Sequence, residues 1–297
     1  MALYVKASGV WRAASAVWVK ISSLWTKARQ VYVRSSGVWE KMFPIDLVFN
    51  GTHEDSTATT VYTHTSIPLL VAPHANRRVI VTTETTDTES AVTVNSMTIG
   101  GVAATLLAQV ESIFNSGVVY LSVWSALVPT GTTATIVTTY SESVFRDYMS
   151  VYTTTNWDGV VGTVASDNNS TGGLTTTVSI GALGAAIAIA GNATNGGIGT
   201  ATWTGLTQQF SNTPVTNRNH SGAMAIATAA QAGLTVTCAY STTPALAALL
   251  VVPLNMSCPG QGCATPDWRR RRRHALRTRI ARACNRRQTS QVGSRSP

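Results

Sequence analysis

The sequence predicts an all-β protein with three parts: N-terminal β-hairpin repeats, a β-sandwich, and a flexible basic tail. Three observations support this. A fourteen-residue segment recurs three times in register, starting at Tyr4, Trp18 and Tyr32. From Ile45 to Val252, strand-length apolar segments are cut by Gly, Pro, Asn and Ser at roughly ten-residue intervals. Only 12% of the residues are charged and threonine is abundant, a mixture that suits a pleated surface better than a helix.

The repeats come first, over residues 1–43. Each copy reads Tyr-Val or Trp-Val, a cation (Lys6, Lys20, Arg34), a short link, then Val-Trp or Leu-Trp ending at Trp11, Trp25 and Trp39. Gly9 and Gly37 suit a three-residue hairpin loop, and that register sets Val5 opposite Trp11, Val19 opposite Trp25 and Val33 opposite Trp39. The middle copy has Ser23 where the others have Gly. An isolated hairpin is marginal in water, so these units must stack on something. Tyr and Val fall on opposite faces of a strand, which gives both faces apolar cover to seek. The repeats therefore read as a docking region carried by Tyr4, Trp11, Trp18, Trp25, Tyr32 and Trp39.

Pro44 ends the repeats and residues 44–256 form the sandwich. The spacing predicts strands at Asp46–Phe49, Thr60–Thr63, Arg77–Thr83, Val92–Ile99 and Ala103–Val110, with a turn at Gly100-Gly101 and a loop at Gly51–Ser56. Val118–Val128 is apolar on both faces, which predicts a central strand covered twice. Pro129–Thr132 turns the chain into Thr133–Tyr140. The second half repeats the style with lower contrast: Leu174–Ile180, Ala185–Ala190, Gly222–Thr228, Leu234–Tyr240 and Ala245–Val252. Loops are predicted at Ser166–Gly173, Asn192–Gly199 and Ser211–Ser221. Ala185–Ala190 and Ala223–Ala230 also fit short helices, and their strand-like neighbours decide for strands.

The net charge of +9 is unevenly divided. Residues 1–43 hold seven Lys or Arg against Glu40, residues 44–256 four Arg against eleven acids, and residues 257–297 eleven Arg against Asp267. The basicity thus belongs to two appendages on an acidic body, and the pI gives no reason for the body to bind nucleic acid. The tail polycation, Arg269, Arg270, Arg271, Arg272, Arg273 and Arg277, is a candidate for nonspecific phosphate binding; the alternative is a solvated, disordered segment. No apolar run reaches the ~18–20 residues of a membrane helix, and Lys6 and Arg12 interrupt any secretory signal. Cys238 alternates with apolar residues and reads as buried; Cys258 and Cys263 have a spacing that permits a small disulfide loop, and Cys284 is left over.

No catalytic motif is present, and neither cofactor nor metal is called for. His53-Glu54-Asp55 with His64 is the densest titratable cluster and reads as a solvated loop. Glu142 and Asp147 are the one carboxylate pair to weigh for glycoside hydrolysis. Sugar recognition needs aromatic faces beside amides and carboxylates. Asn156, Trp157 and Asp158 offer that combination, as do Trp203 with Gln208 and Gln209, and Asn217, Arg218, Asn219 and His220; the competing reading makes the two Trp residues core or loop anchors.

The runs Ala75–Val81, Val94–Leu106 and Val119–Thr132 resemble a jelly-roll-type sandwich module recurrent in bacteriophage tail and other virion proteins. The Tyr-Val-Lys…Gly-Val-Trp copies resemble short repeats at the ends of phage tail-associated proteins. The resemblance implies a structural or adhesive virion component without chemistry of its own: a tail fibre, tip or decoration protein that docks to the particle and displays the sandwich for host-surface or glycan attachment. It further implies other virion proteins as partners, homo-oligomers with trimers favoured, and host surface polysaccharide as a ligand. Nucleic acid enters only through the tail, and there is no membrane insertion. The alternatives are a glycan-processing enzyme on the same scaffold and a nucleic-acid-associated virion protein acting through the tail.

Overall fold

In the computed structural model, the described residues are 44–87, 92–114, 117–169, 173–193, 199–215 and 218–256, together with the backbone of six short N-terminal strands. The basic tail, with Arg269–Arg273 and Arg277, and the side chains of residues 1–43 lie outside them. The described residues belong to two units: one contains Met1–Val33 and Lys41–Ser257, and the other contributes only Arg34–Glu40.

Each repeat is a two-stranded antiparallel hairpin: β1 Tyr4–Ala7 with β2 Val10–Ala13, β3 Val17–Ile21 with β4 Leu24–Ala28, and β5 Tyr32–Ser35 with β6 Val38–Lys41. The register differs from the one the glycines suggest. Ala7 pairs with Val10 and Ile21 with Leu24, so two residues separate the paired ends, the commonest hairpin length and the one whose twist matches the strands. Trp11 therefore stands opposite Lys6 and Trp25 opposite Lys20, not opposite Val5 and Val19. A one-residue slip is enough to exchange every cross-strand partner.

The sandwich region is four sheets deep. Its first half contains β7 Val48–Asp55, β8 Thr59–Pro68, β9 Arg78–Asp87, β10 Val94–Ile99, β11 Val102–Ala103, β12 Thr105–Phe114, β13 Gly117–Leu127, β14 Thr133–Val144 and β15 Asp147–Thr154. Its second half contains β16 Ala165–Asn169, β17 Leu174–Ile180, β18 Ala185–Ala193, β19 Ala201–Thr204, β20 Thr207–Val215, β21 Arg218–Ile226, β22 Gln231–Tyr240 and β23 Leu246–Leu254. A five-stranded sheet ordered β12-β13-β9-β15-β7 faces a four-stranded one, β11-β10-β14-β8. A second five-stranded sheet, β16-β23-β18-β21-β20, faces the three-stranded β17-β22-β19.

With the two-residue β11 set aside, the halves have one topology. Counting eight strands in each, the larger sheet runs 5-6-3-8-1 and the smaller 4-7-2 in both. This is a jelly-roll ordering in which the fifth strand has joined the sheet of the sixth. The lower-contrast second half of the sequence is thus a structural repeat of the first.

Three apolar layers hold the stack together. Tyr62, Met97, Ile99, Trp124, Ile136 and Val151 help to fill the first sandwich. Leu174, Ala188, Trp203, Val236 and Leu249 do the same in the second. Between the two large sheets runs a third layer, including Ile80, Leu121, Val123, Ile187, Ile189 and Leu250, which docks one sandwich on the other. Both large sheets are therefore covered twice, and β15, β18 and β23 are buried almost end to end. Val118–Leu127 is central and doubly covered, as its two apolar faces predict, buried up to Ala126. Each buried Val, Leu, Ile or Phe contributes roughly 1.5–3 kcal/mol over an exposed one.

Several boundaries move. Gly51–Ser56 is not a loop: β7 runs to Asp55, and Gly51, at φ +132°, marks the slip where its pairing with β15 shifts. Ser166–Gly173 begins as β16, and Ser211–Ser221 is a hairpin of β20 and β21. β15 itself, Asp-Tyr-Met-Ser-Val-Tyr-Thr-Thr, is a strand the turn signals do not isolate. The turn at Gly100-Gly101 stands as predicted, with φ +59° and +77° between paired Ile99 and Val102.

Candidate functional site

The predicted sugar platforms are interior. Trp157 is 2% exposed, its indole N–H donates to the Val160 carbonyl at 2.9 Å, and the Arg78 guanidinium lies 5.6 Å above its ring. Asn156 is buried beside it, accepting from the Asp46 N–H at 2.7 Å and donating to the Pro44 carbonyl. The Asp46 carboxylate also accepts from Thr154 Oγ1 and the Thr155 N–H, both at 2.8 Å. These residues tie the start of the sandwich region to the end of β15. Only Asp158 of that trio is exposed.

Trp203 is 8% exposed and donates to Ser221 Oγ at 2.6 Å inside the second sandwich. His220 is 2% exposed, and Asn217 lies outside the described residues. Neither Trp ring is presented to solvent as a stacking face, because each satisfies its one polar group internally.

Of the acidic candidates, Asp147 is absorbed, Asp55 and Glu142 are partly buried, and Glu54 is exposed. Asp147 is fully buried in the first sandwich, where it accepts from Tyr140 Oη at 2.7 Å and meets His64 Nε2 at 3.1 Å. It is therefore not half of an open carboxylate pair with Glu142. The Tyr140 phenol is pushed well up by burial and by the Asp147 carboxylate. His53, Glu54 and Asp55 are strand residues of β7, alternating between its two faces, and burial lowers the His53 pKa. Among the described residues, no group of three or more His, Cys, Asp or Glu side chains is placed to hold a metal ion.

The densest concentration of perturbed polar groups is one that the sequence did not single out: the seam between the two large sheets. Strand register builds it as two facing rows. In the first sandwich, Leu121, Glu84, Tyr148 and Glu54 are successive cross-strand partners on β13, β9, β15 and β7. In the second, Ala248, Gly191, His220 and Asn212 are successive partners on β23, β18, β21 and β20. Leu121 and Ala248 both belong to the apolar layer. Next along, the Glu84 carboxyl lies on Gly191, where an added Cβ would stand 2.3 Å from Glu84 Cδ. Then the Tyr148 ring stacks on His220, with centroids 6.0 Å apart and planes at 23°. One step along the strands, Asn212 donates to Thr52 Oγ1 at 2.8 Å.

Glu84 is fully buried and, among the described residues, neither of its carboxyl oxygens has a hydrogen-bond partner; the same holds for His220 Nε2. Burial raises the Glu84 pKa well above the usual carboxylate range, with Arg218 opposing. Burial lowers His220 to about 3 and, against the pull of Arg146, raises Tyr148 to about 12. Arg218 donates from Nε to Thr86 Oγ1 at 3.0 Å across the same seam. Glu84 is visible in the sequence only as an acid among threonines. Nothing local marks it as interior, because its burial comes from a sheet more than a hundred residues away.

No family model, no curated protein and no solved structure matches the chain.

Proposed function

We propose that the chain is a structural protein of a virion, docked through its N-terminal repeats and displaying the two stacked sandwiches. One observation carries the reading: a duplicated jelly-roll body whose aromatic and acidic residues hold strands together, preceded by a triplicated segment too small to bury its own faces. The charge division supports it, since it sets cationic repeats apart from an acidic body. Display for host-surface attachment is the role, and a homo-oligomer, with trimers favoured, is the assembly. A glycan contact on this body would use exposed loop and face residues, not Trp157 or Trp203.

The test uses assembled particles. Replacing Trp11, Trp25 and Trp39 by Ala releases the protein from the particle and leaves the sandwiches folded. Incubation with host surface polysaccharide gives binding without new reducing ends. Release of reducing ends, or retention of the triple variant on the particle, overturns the proposal.

A further inference from the structure

We propose that Glu84 and His220 form a proton-compensated joint between the two sandwiches: the closed seam holds one proton on Glu84, keeps His220 neutral, and is firmest in mildly acidic conditions. The inference does not depend on the virion reading. It rests on the facing rows, in which a carboxyl without donors is seated on Gly191 and its register neighbour Tyr148 covers an imidazole whose Nε2 has no acceptor among the described residues. A buried carboxyl without donors favours its neutral acid, and a buried imidazole without an acceptor favours its neutral base.

The groups around the pair do not reverse this. Glu54 and Tyr148 face it from β7 and β15, Arg146 from the connection before β15, and Arg218 from β21. Tyr152 lies further along β15, while Cys238 and Tyr240 on β22 feel Glu84 through the second large sheet. Arg218 favours the Glu84 carboxylate, but burial outweighs it. Arg146 and Arg218 are both cations, so they add no welcome for a protonated His220.

The linkage follows from proton counts. Glu84 is raised in the folded chain, so its contribution is full below its unfolded pKa of about 4.3 and is lost as pH rises through its folded value. His220 is lowered to about 3, so its contribution is full above about 6.5 and is lost as pH falls towards 3. Between those two ordinary values, the unfolded chain carries one proton on His220 and the folded chain carries one on Glu84. The counts match, and the pair is silent there. Above the window only Glu84 acts, below it only His220, and stability falls on both sides.

Denaturant unfolding of the full chain tests this, comparing wild type, E84Q, H220Q and E84Q/H220Q from about pH 3.5 to 8. Taking ratios to wild type cancels the other titrating groups. The folding constant of E84Q relative to wild type rises about tenfold per pH unit above about 4.3 and levels off where folded Glu84 itself ionises. That of H220Q rises about tenfold per unit as pH falls below about 6.5. For the double variant the ratio is flat between those limits. Single-variant ratios that do not change with pH, or a sloping double-variant ratio in the window, overturn the proposal. If a variant does not fold, infrared spectra of wild type with isotope-labelled glutamate decide. A protonated carboxyl band in the native protein at neutral pH, lost on unfolding, supports the joint, and its absence refutes it.

Discussion

Gly191→Ala probes the seam at its tightest point. The new methyl would stand 2.3 Å from Glu84 Cδ, 2.4 Å from Oε1 and 2.7 Å from Oε2, where carbon contacts are comfortable near about 3.5–4.0 Å. Glu84 is fully buried, so its carboxyl has no solvent to move into. Overpacking of this kind costs about 1–3 kcal/mol. The assay is a double-mutant cycle by urea unfolding at constant pH, with Glu84→Ala as the second change. Glu84→Ala leaves room in which the methyl of Ala at position 191 fits, so the double variant should be more stable than the sum of the single effects by about 1–3 kcal/mol. Additivity within about 0.5 kcal/mol would show that the carboxyl does not rest on Gly191 in solution.

Arg77→Met should be among the most damaging single changes. The guanidinium donates to the carbonyls of Val128 at 2.8 Å, Val71 at 2.7 Å and Gly131 at 2.8 Å, and also to Thr130, from a fully buried side chain. Loss of these charge-assisted bonds should cost about 3–5 kcal/mol in denaturant unfolding, part being recovered as the carbonyls hydrate. Gly205→Ala forces an L residue to φ +84° and a Cβ to 2.2 Å from the Thr235 carbonyl, so thermal unfolding should register a loss of at least about 2 kcal/mol. Trp157→Phe and Trp203→Phe each remove an internal indole donor, and should lower the free energy of urea unfolding by about 1–3 kcal/mol; under the proposed attachment role neither change alters binding to host polysaccharide. Cys238, buried and pushed up to about 12, should react with a thiol reagent only as the chain unfolds; this is read in a chain whose other three cysteines are Ser.

Strand periodicity carried the fold class because burial in a sheet imposes a period of two on any strand covered once and erases polarity on one covered twice. Val118–Leu127 and Leu246–Leu254 announce themselves in that way. β15 and β20 do not: Asp147, Ser150 and Thr153 in one, and Ser211 and Asn212 in the other, are polar residues whose hydrogen-bond partners lie on other strands. The stacking of two sandwiches was likewise hidden, since Ile187 and Ala188 look alike in sequence, although one faces the seam and the other the second sandwich core. The site residues follow the same rule. Trp157 and Trp203 are ambiguous locally, and only the carbonyl of Val160 and the hydroxyl of Ser221 decide for the interior. Glu84 was illegible for the opposite reason, being made exceptional by a glycine on another sheet.

The duplicated topology also fixes how the body bears a mechanical load. In each half the first strand lies at the edge of the large sheet and the last lies inside it: among the described residues β7 is bonded only to β15, whereas β23 is bonded to β16 on one side and β18 on the other. Tension arriving through residue 44 meets a strand with neighbours on one flank, restrained by Asn156 and by the bond from the Ile45 N–H to the Leu183 carbonyl at 2.9 Å. Tension arriving through residue 256 meets a strand clamped on both flanks. Under tension the body therefore has a yielding end and an unyielding one, and residues 1–43 join it at the end that yields.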